Sequence, residues 1–548
     1  MHIMLKLLMV AVLMTSTGTV SAAEAKGGEG ITPVGDGKRF GIFNVVDLGA
    51  TGDGLTLETA AIQRAIDSAA AAGGGTVLVP PGKYVTGSLR LKSYVTLQIE
   101  AGAVLLGSTD LDDYPVNIPA FRSYTDNYVK QSLIYAEDAH HVAIVGNGTI
   151  DGQGAAFTDR SYLVRPYLIR LVSCTNVLLE NVNLKDSPMW ATHLLACDFV
   201  RVSGISVISQ VNQNNDMLDI DCCTDVRVSD CYADTGDDAI VLKSTADRIT
   251  ERVTISNCVL KSNCNAIKMG TESNGGFRNV TISNCSIDSD YPVKGYYGRN
   301  RGITGVSLEM VDGGILENIS ISNLTMEGVN VPIFLRLGNR ARPFKADMKK
   351  PGMGMFRNVI ISNIIATGVG KIGCSITGLP GHPIENVTLS NIRITYPGGG
   401  TAADARKPTP EKPDAYPEAT MFGTLPAYGF YCRHVTGLRF SHVDLNLEGD
   451  DYRPAIVCED VHGLEIEDVV ADRSSIGGEP MLRFRDVTEA TIRSCTPPDG
   501  APVFLRLEGE ARRISSVGND FAGVTEPFQI GPGVSPTVLF RTGDRPPE

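Results

Sequence analysis

One short pattern returns along the middle of this chain at a fixed interval. Arg227-Val228-Ser229-Asp230-Cys231, Thr254-Ile255-Ser256-Asn257-Cys258 and Thr281-Ile282-Ser283-Asn284-Cys285 share one form. Ser-Asn recurs at 322–323, 362–363 and 390–391, so successive serines lie 27, 27, 39, 40 and 28 residues apart. Each copy is a run of β-branched residues bounded by Asn, Asp and Ser, which reads as a short strand and a turn. A unit that small cannot bury its apolar face alone, and stacking its copies buries one continuous core. The expected fold is all-β: a right-handed parallel β-helix whose period in the twenties is stretched in places by loop insertions. A β-sandwich would not repeat so regularly. Asn at the turn can take positive φ and ladder with the Asn of the next coil. Cys231, Cys258 and Cys285 occupy one place in the repeat and should form a row of small apolar side chains. No disulfide is assigned among the twelve cysteines.

The rest of the chain is read around that repeat. Its 548 residues would allow three or four ordinary domains, but a solenoid of this length is one unit. Residues 1–23 read as a secretory signal: Lys6, an apolar run from Leu7 to Met14, then Val20-Ser21-Ala22 as a small-residue cleavage site. Residues 24–38 read as a flexible leader and 39–548 as a single catalytic β-helix domain. Phe40 to Leu48 is expected as a strand. Thr59 to Ala72 is expected as a helix with Ile62, Ala65, Ile66 and Ala69 on one face, stopped by Gly73-Gly74-Gly75 and capping an exposed edge of the core. No later stretch is apolar over ~18 residues, so no membrane span is expected. A net charge of −13 speaks against nucleic acid as a partner. The expected product is an exported monomer, secreted or periplasmic.

Insertions fall near 286–303, 336–357 and 396–428. The first holds Tyr291, Tyr296, Tyr297, Arg299 and Arg301. The second is basic, with Arg340, Arg342 and Lys345 among its cations, and reads either as a clamp for an anionic substrate or as a solvated loop. The third is Pro-rich and holds Tyr416, Phe422 and Tyr428.

The chemistry concentrates in Asn214-Asn215-Asp216-Met217-Leu218-Asp219-Ile220-Asp221 and in Gly236-Asp237-Asp238. Asp216 and Asp238 are 22 residues apart, close to one coil. Neighbouring coils lie roughly 5 Å apart. With side-chain reach, two carboxylates on adjacent coils can open to the ~6.5–9.5 Å that admits a water in inverting glycoside hydrolysis. A Gly-Asp-Asp taken alone is more often a turn. Grouped carboxylates also suit calcium. The two Asp motifs stacked by the repeat favour acid–base work.

Several motifs over residues 40–330 resemble the polygalacturonase family, glycoside hydrolase family 28. Leu48-Gly49-Ala50-Thr51-Gly52-Asp53-Gly54 with Ala60-Ala61-Ile62-Gln63 is similar to its N-terminal cap. Gly146-Asn147-Gly148-Thr149-Ile150-Asp151-Gly152-Gln153-Gly154 and Ser187-Pro188-Met189-Trp190 with His193 resemble later signatures. Asn214-Asn215-Asp216 resembles the family's Asn-Thr-Asp, and Asp237-Asp238 its Asp-Asp. The resemblance implies single displacement with inversion, Asp237 as general acid, and Asp216 and Asp238 holding the water. Two family motifs are replaced. Asn265 stands where a histidine is expected, and Gly305-Val306-Ser307 lies where the Arg-x-Lys grip on a uronate is sought. Asn214, Asn265, Lys268, Glu272, Arg301, Glu309 and Arg336 are the candidates for substrate contact. The implied substrate is an acidic, plant-type polysaccharide or oligosaccharide, with no cofactor and no metal. A β-helix polysaccharide lyase and a glycan-binding β-helix without catalysis are the alternatives.

Overall fold

The computed structural model describes residues 41–290, 300–472, 479–498 and 500–548. The signal expected at 1–23 and the leader at 24–38 lie outside these residues, as do Tyr291, Tyr296, Tyr297 and Arg299. The chain winds as a parallel β-helix in which each strand pairs with the strand one coil on. Strand alternation sends every second side chain inward. One inward row runs Leu171, Leu194, Ile220, Leu242, Met269, Leu308, Leu335 and Ile376 in continuous register. All eight are fully buried. Each such side chain contributes about 1.5–3 kcal/mol by leaving water.

The repeat maps onto rows as expected. Tyr232 pairs with Val259 and Val259 with Ser286, which stacks Cys231, Cys258 and Cys285 one residue before them. All three are buried free thiols, as are the other nine cysteines. Asn257, Asn284, Asn323, Asn363 and Asn391 all take φ between 52° and 57°. Each of the last four donates its amide to the Oδ1 of the Asn before it. A second ladder of the same kind joins Asn279, Asn318, Asn358 and Asn386.

The expected helix spans Thr59–Ala71, with Ile62, Ala65, Ile66 and Ala69 buried. It packs across the strands Gly41–Asn44 and Gly75–Val79 at the N-terminal end of the stack. The expected strand from Phe40 to Leu48 stops early. Asn44 accepts the Val46 N–H at 3.0 Å, and the backbone turns into a 3-10 segment at Val46–Leu48. This is the local competition an Asn side chain offers to strand pairing. The 396–428 insertion contains a short helix, Ala402–Arg406, entered through a capping box of Thr401 and Asp404.

Candidate active site

Adjacent coils bring the two Asp motifs together. The Met217 N–H donates to the Asp238 carbonyl at 3.0 Å, and the Ala239 N–H to the Asn265 carbonyl at 2.9 Å. Asp216, Asp238 and Asn265 therefore stand at one level of three successive coils, just before the strands Leu218–Asp221, Ile240–Ser244 and within Asn265–Ser273. Asn215 is structural. It accepts the N–H groups of Val211 and Asn212 and donates to the Ser187 carbonyl at 2.7 Å, which fixes the loop that presents Asp216. Two hydroxyls fix the next turn, as Thr235 and Ser262 donate to the Asp237 carbonyl at 2.9 and 2.6 Å. Asp216, Asp237 and Asp238 open into a pocket of about 400 Å³. Tyr128, Tyr162, Trp190 and Tyr416 supply its aromatic walls, and Lys243, Lys268, Glu272 and Arg342 its charged ones.

The carboxylates are unequal. Burial and the charges of Asp237, Asp219 and Asp238 push the Asp216 carboxyl well above the usual range. Burial also opposes ionisation of Asp238, but Lys268 and Lys243 outweigh it and hold this group below its ordinary value. Lys268 Nζ lies 3.0 Å from Asp238 Oδ2. Asn265 donates its side-chain and backbone N–H groups to Oδ1 at 2.7 and 3.0 Å. The residue at the expected histidine position thus stabilises the charge of Asp238 as a neutral donor. One group that keeps its proton beside one that is held ionised is the division acid–base catalysis needs.

The cations are all engaged. Lys243 Nζ sits 4.6 Å from the Trp190 ring centroid and 3.5 Å from both Asp219 and Glu272. Arg342 reaches Glu272 at 2.7 Å and Asp312 at 3.1 Å. Burial works against the charge of Glu272, and Lys243, Arg342 and Arg340 overcome it, so this carboxyl is held well below its usual range. Below the floor, His193 is fully buried 3.2 Å from Asp221, and burial lowers it to about 4, leaving a neutral ring. An oxygen each of Asp237 and Asp238 and the Cys264 sulfur lie within 4.8 Å of one another. That set mixes hard and soft donors, and the Lys268 ammonium already occupies Asp238.

Of the residues singled out by sequence, Asp216, Asp237, Asp238, Asn214, Lys268 and Glu272 line the pocket. Asn265 and Glu309 stand behind it. Glu309 is 4.0 Å from Lys268, and burial raises its carboxyl to about 7. Arg301 and Arg336 are not brought to the pocket. Arg301 donates to the Gly368 carbonyl at 2.9 Å. Arg336 lies on the strand Val329–Leu337, and the 396–428 insertion lies over it. It donates to the carbonyls of Gly378, Glu411 and Lys412, and burial lowers its guanidinium to about 10. Arg433 binds the neighbouring carbonyls of Thr409 and Pro410. Together they anchor the segment from which Tyr416 enters the pocket, 3.4 Å from Lys268 Nζ. In the basic insertion, Arg340 and Arg342 are spent on Asp312, so these two arginines brace the wall. Lys243 was missed. It ends the buried run Ala239 to Leu242, and its parity opposite the inward Leu242 is the signal for an outward side chain.

Residues 72–412 match the model of Glycosyl hydrolases family 28. A probable polygalacturonase of Vitis vinifera is 28% identical over 428 residues, covering 70% of this chain and 83% of that protein. The structure of a hyperthermoactive exopolygalacturonase from Thermotoga maritima aligns at 25% identity with a TM-score of 0.55, over 65% of this chain and 87% of that one. A family 28 exopolygalacturonase from Yersinia enterocolitica aligns with a TM-score of 0.56 over 82% of this chain and 78% of that one, and its 19% identity speaks for the fold alone.

Proposed function

Because this chain belongs to glycosyl hydrolase family 28 and is a glycoside hydrolase, we propose that it cleaves a pectin-type, uronic-acid-containing polysaccharide or oligosaccharide by inverting hydrolysis. The observation that carries this reading is the unequal set of carboxylates on adjacent coils. Asp238, held ionised by Lys268 and Asn265, and Asp216 hold and activate the water. Asp237 protonates the glycosidic oxygen. Asp237 and Asp238 both oppose ionisation of Asp216, so a proton is kept among these carboxyls and Asp237 delivers it. Asp237 is the most exposed of the three, at 7% against 3% for each of the others, and so is the member best placed to reach a leaving group. The names of the Vitis and Thermotoga proteins support a galacturonan-like substrate.

The insertions that carry Arg342 and Tyr416 wall one side of the pocket, which supports attack from a chain end. The protein acts outside the cytoplasm, as the signal at 1–23 implies, and N-terminal sequencing of the exported protein tests that. The central experiment is incubation with a panel of pectic oligosaccharides, reading product size and the anomeric proton signal. A product that first appears with inverted configuration, one sugar at a time, agrees with the reading. Unsaturated products would make the protein a lyase, and tight binding of intact oligosaccharide would make it a glycan-binding β-helix.

A further inference from the structure

A second pocket, of about 470 Å³, adjoins the first and shares Tyr162, Gln213 and Asn214 with it. The two differ in charge. The catalytic pocket is lined by four carboxylates, Asp216, Asp237, Asp238 and Glu272. Its three cations are each within 3.5 Å of a carboxylate of the protein itself. A substrate carboxylate bound there would have to break one of these buried pairs and leave its partner uncompensated. The neighbouring pocket is lined by two guanidiniums, Arg160 and Arg165, and by no carboxylate.

Arg165 is buried, and donates to the Gln213 carbonyl at 2.7 Å and to Asn214 Oδ1 at 2.9 Å. It ties the floor of this pocket to the loop that presents Asp216. Arg160 is exposed and makes no ion pair among the described residues. Tyr162 stands on the partition, 43% exposed and edge-on to Tyr128 at 6.2 Å, offering an aromatic face to a sugar ring.

We propose that the Arg160–Arg165 pocket is the subsite for a uronate carboxylate, so that the acidic sugar is recognised beside the ring whose bond is cut and not in the catalytic pocket itself. Arg160 supplies the adaptable contact, and a planar guanidinium suits a carboxylate in two-bond geometry. This rests on the hydrolase reading above, and the substrate class becomes an oligosaccharide whose essential carboxylate sits one residue from the reacting one.

The probe is the oligosaccharide pool from partial hydrolysis of pectin, used as it is and after reduction of its carboxylates to alcohols. Calorimetric binding is measured on Asp237→Asn protein with and without Arg160→Gln, and turnover on the otherwise native chain with and without the same change. Arg160→Gln should weaken binding of the acidic pool by about tenfold, the size of one charge-assisted hydrogen bond. It should raise KM with little change in kcat, and leave the reduced pool unaffected. The difference should shrink at about 0.5 M salt, where exposed charges are screened. Arg160→Lys, which keeps the charge, should recover part of the loss. Equal affinity of Arg160→Gln and its parent for the acidic pool overturns the subsite. If binding responds as expected while the native chain cleaves neither pool, the subsite stands and the hydrolase reading falls.

Discussion

Through the coils from residue 257 to residue 391, one row sets like against like. Asn257, Asn284, Asn323, Asn363 and Asn391 repeat one side chain, one φ and one hydrogen bond. In the same coils, the outer row of another sheet pairs Lys268 with Ser307, Ser307 with Phe334, Phe334 with Ser375 and Ser375 with Tyr431. The first row satisfies itself, because each amide offers a donor and an acceptor to its neighbours. The second cannot. Continued toward the N-terminus it holds Val241, Asp219, His193 and Arg170, whose polar members are met by residues on other rows and on loops. Repetition gives a row stability that needs nothing else, and its loss on the outer row leaves side chains free to be set by the pocket.

The sharpest way to test that contrast is to change the pocket face without touching the stack. Asp237→Asn keeps size and hydrogen bonding but cannot give up a proton. It should lower kcat by at least ~10²-fold with little change in KM. A substrate with a nitrophenol leaving group should be largely spared. Equal loss on both substrates would move Asp237 from acid to water-holding.

Next in size is Lys268→Met. Lys268 lowers the Asp238 carboxyl, so its removal raises that group and delays ionisation of the base to higher pH. The acid limb of the kcat/KM profile should move up, with a loss on the order of tenfold at the acid end. An unmoved limb would mean that Asp238 is not the group seen in the profile.

Smaller again is Arg336→Met, which releases the anchored segment before Tyr416. KM should rise by about threefold, since misplacing a substrate contact weakens binding more than chemistry. Tyr416→Ala should give the same change, and the double variant no more than either alone.

Two variants are read by stability. Asn323→Ala puts a Cβ-bearing residue that lacks the amide at φ 57° and breaks the ladder on both sides. It should cost about 1–2 kcal/mol in denaturant titration with unchanged kcat. Glu309→Gln acts through pH. Burial raises this carboxyl from 4.5 to about 7 in the folded chain, so the folded state holds its proton more tightly than the unfolded one. That stabilisation is present below the ordinary carboxylate range and is lost as pH rises through about 7. Going from about pH 5 to about pH 8 should therefore lower the Tm of the native chain more than that of Glu309→Gln.

The sequence was legible where one coil predicts the next. The Asn turns, the Cys row and the stacking of Asp216 on Asp238 all follow from spacing alone, because register is a count of residues. The outward direction of Lys243 was legible in its parity, but its neighbours were not, since the pairing of its strand with the next slips between Leu242 and Ser244. Arg336 was a candidate for substrate contact as a cation near the replaced Arg-x-Lys grip. What covers it is decided by the path of residues 409–413, a loop with no period. Arg342 illustrates the same limit. Its charge is plain in the sequence, but only the fold of its loop shows that Asp312 and Glu272 already claim it.

The Asn ladder closes at 2.7 Å over a spacing of 28 residues, at 2.9 Å over 39 and at 2.8 Å over 40. The stack does not register how much chain is paid out between one rung and the next. Chain length is therefore decoupled from alignment, and tolerance to insertion and deletion is directional: high in the connections between rungs, low at the rungs themselves. Loops can be lengthened, trimmed or exchanged between relatives while the column beneath stays in register. In such a molecule the choice of sugar is the editable part.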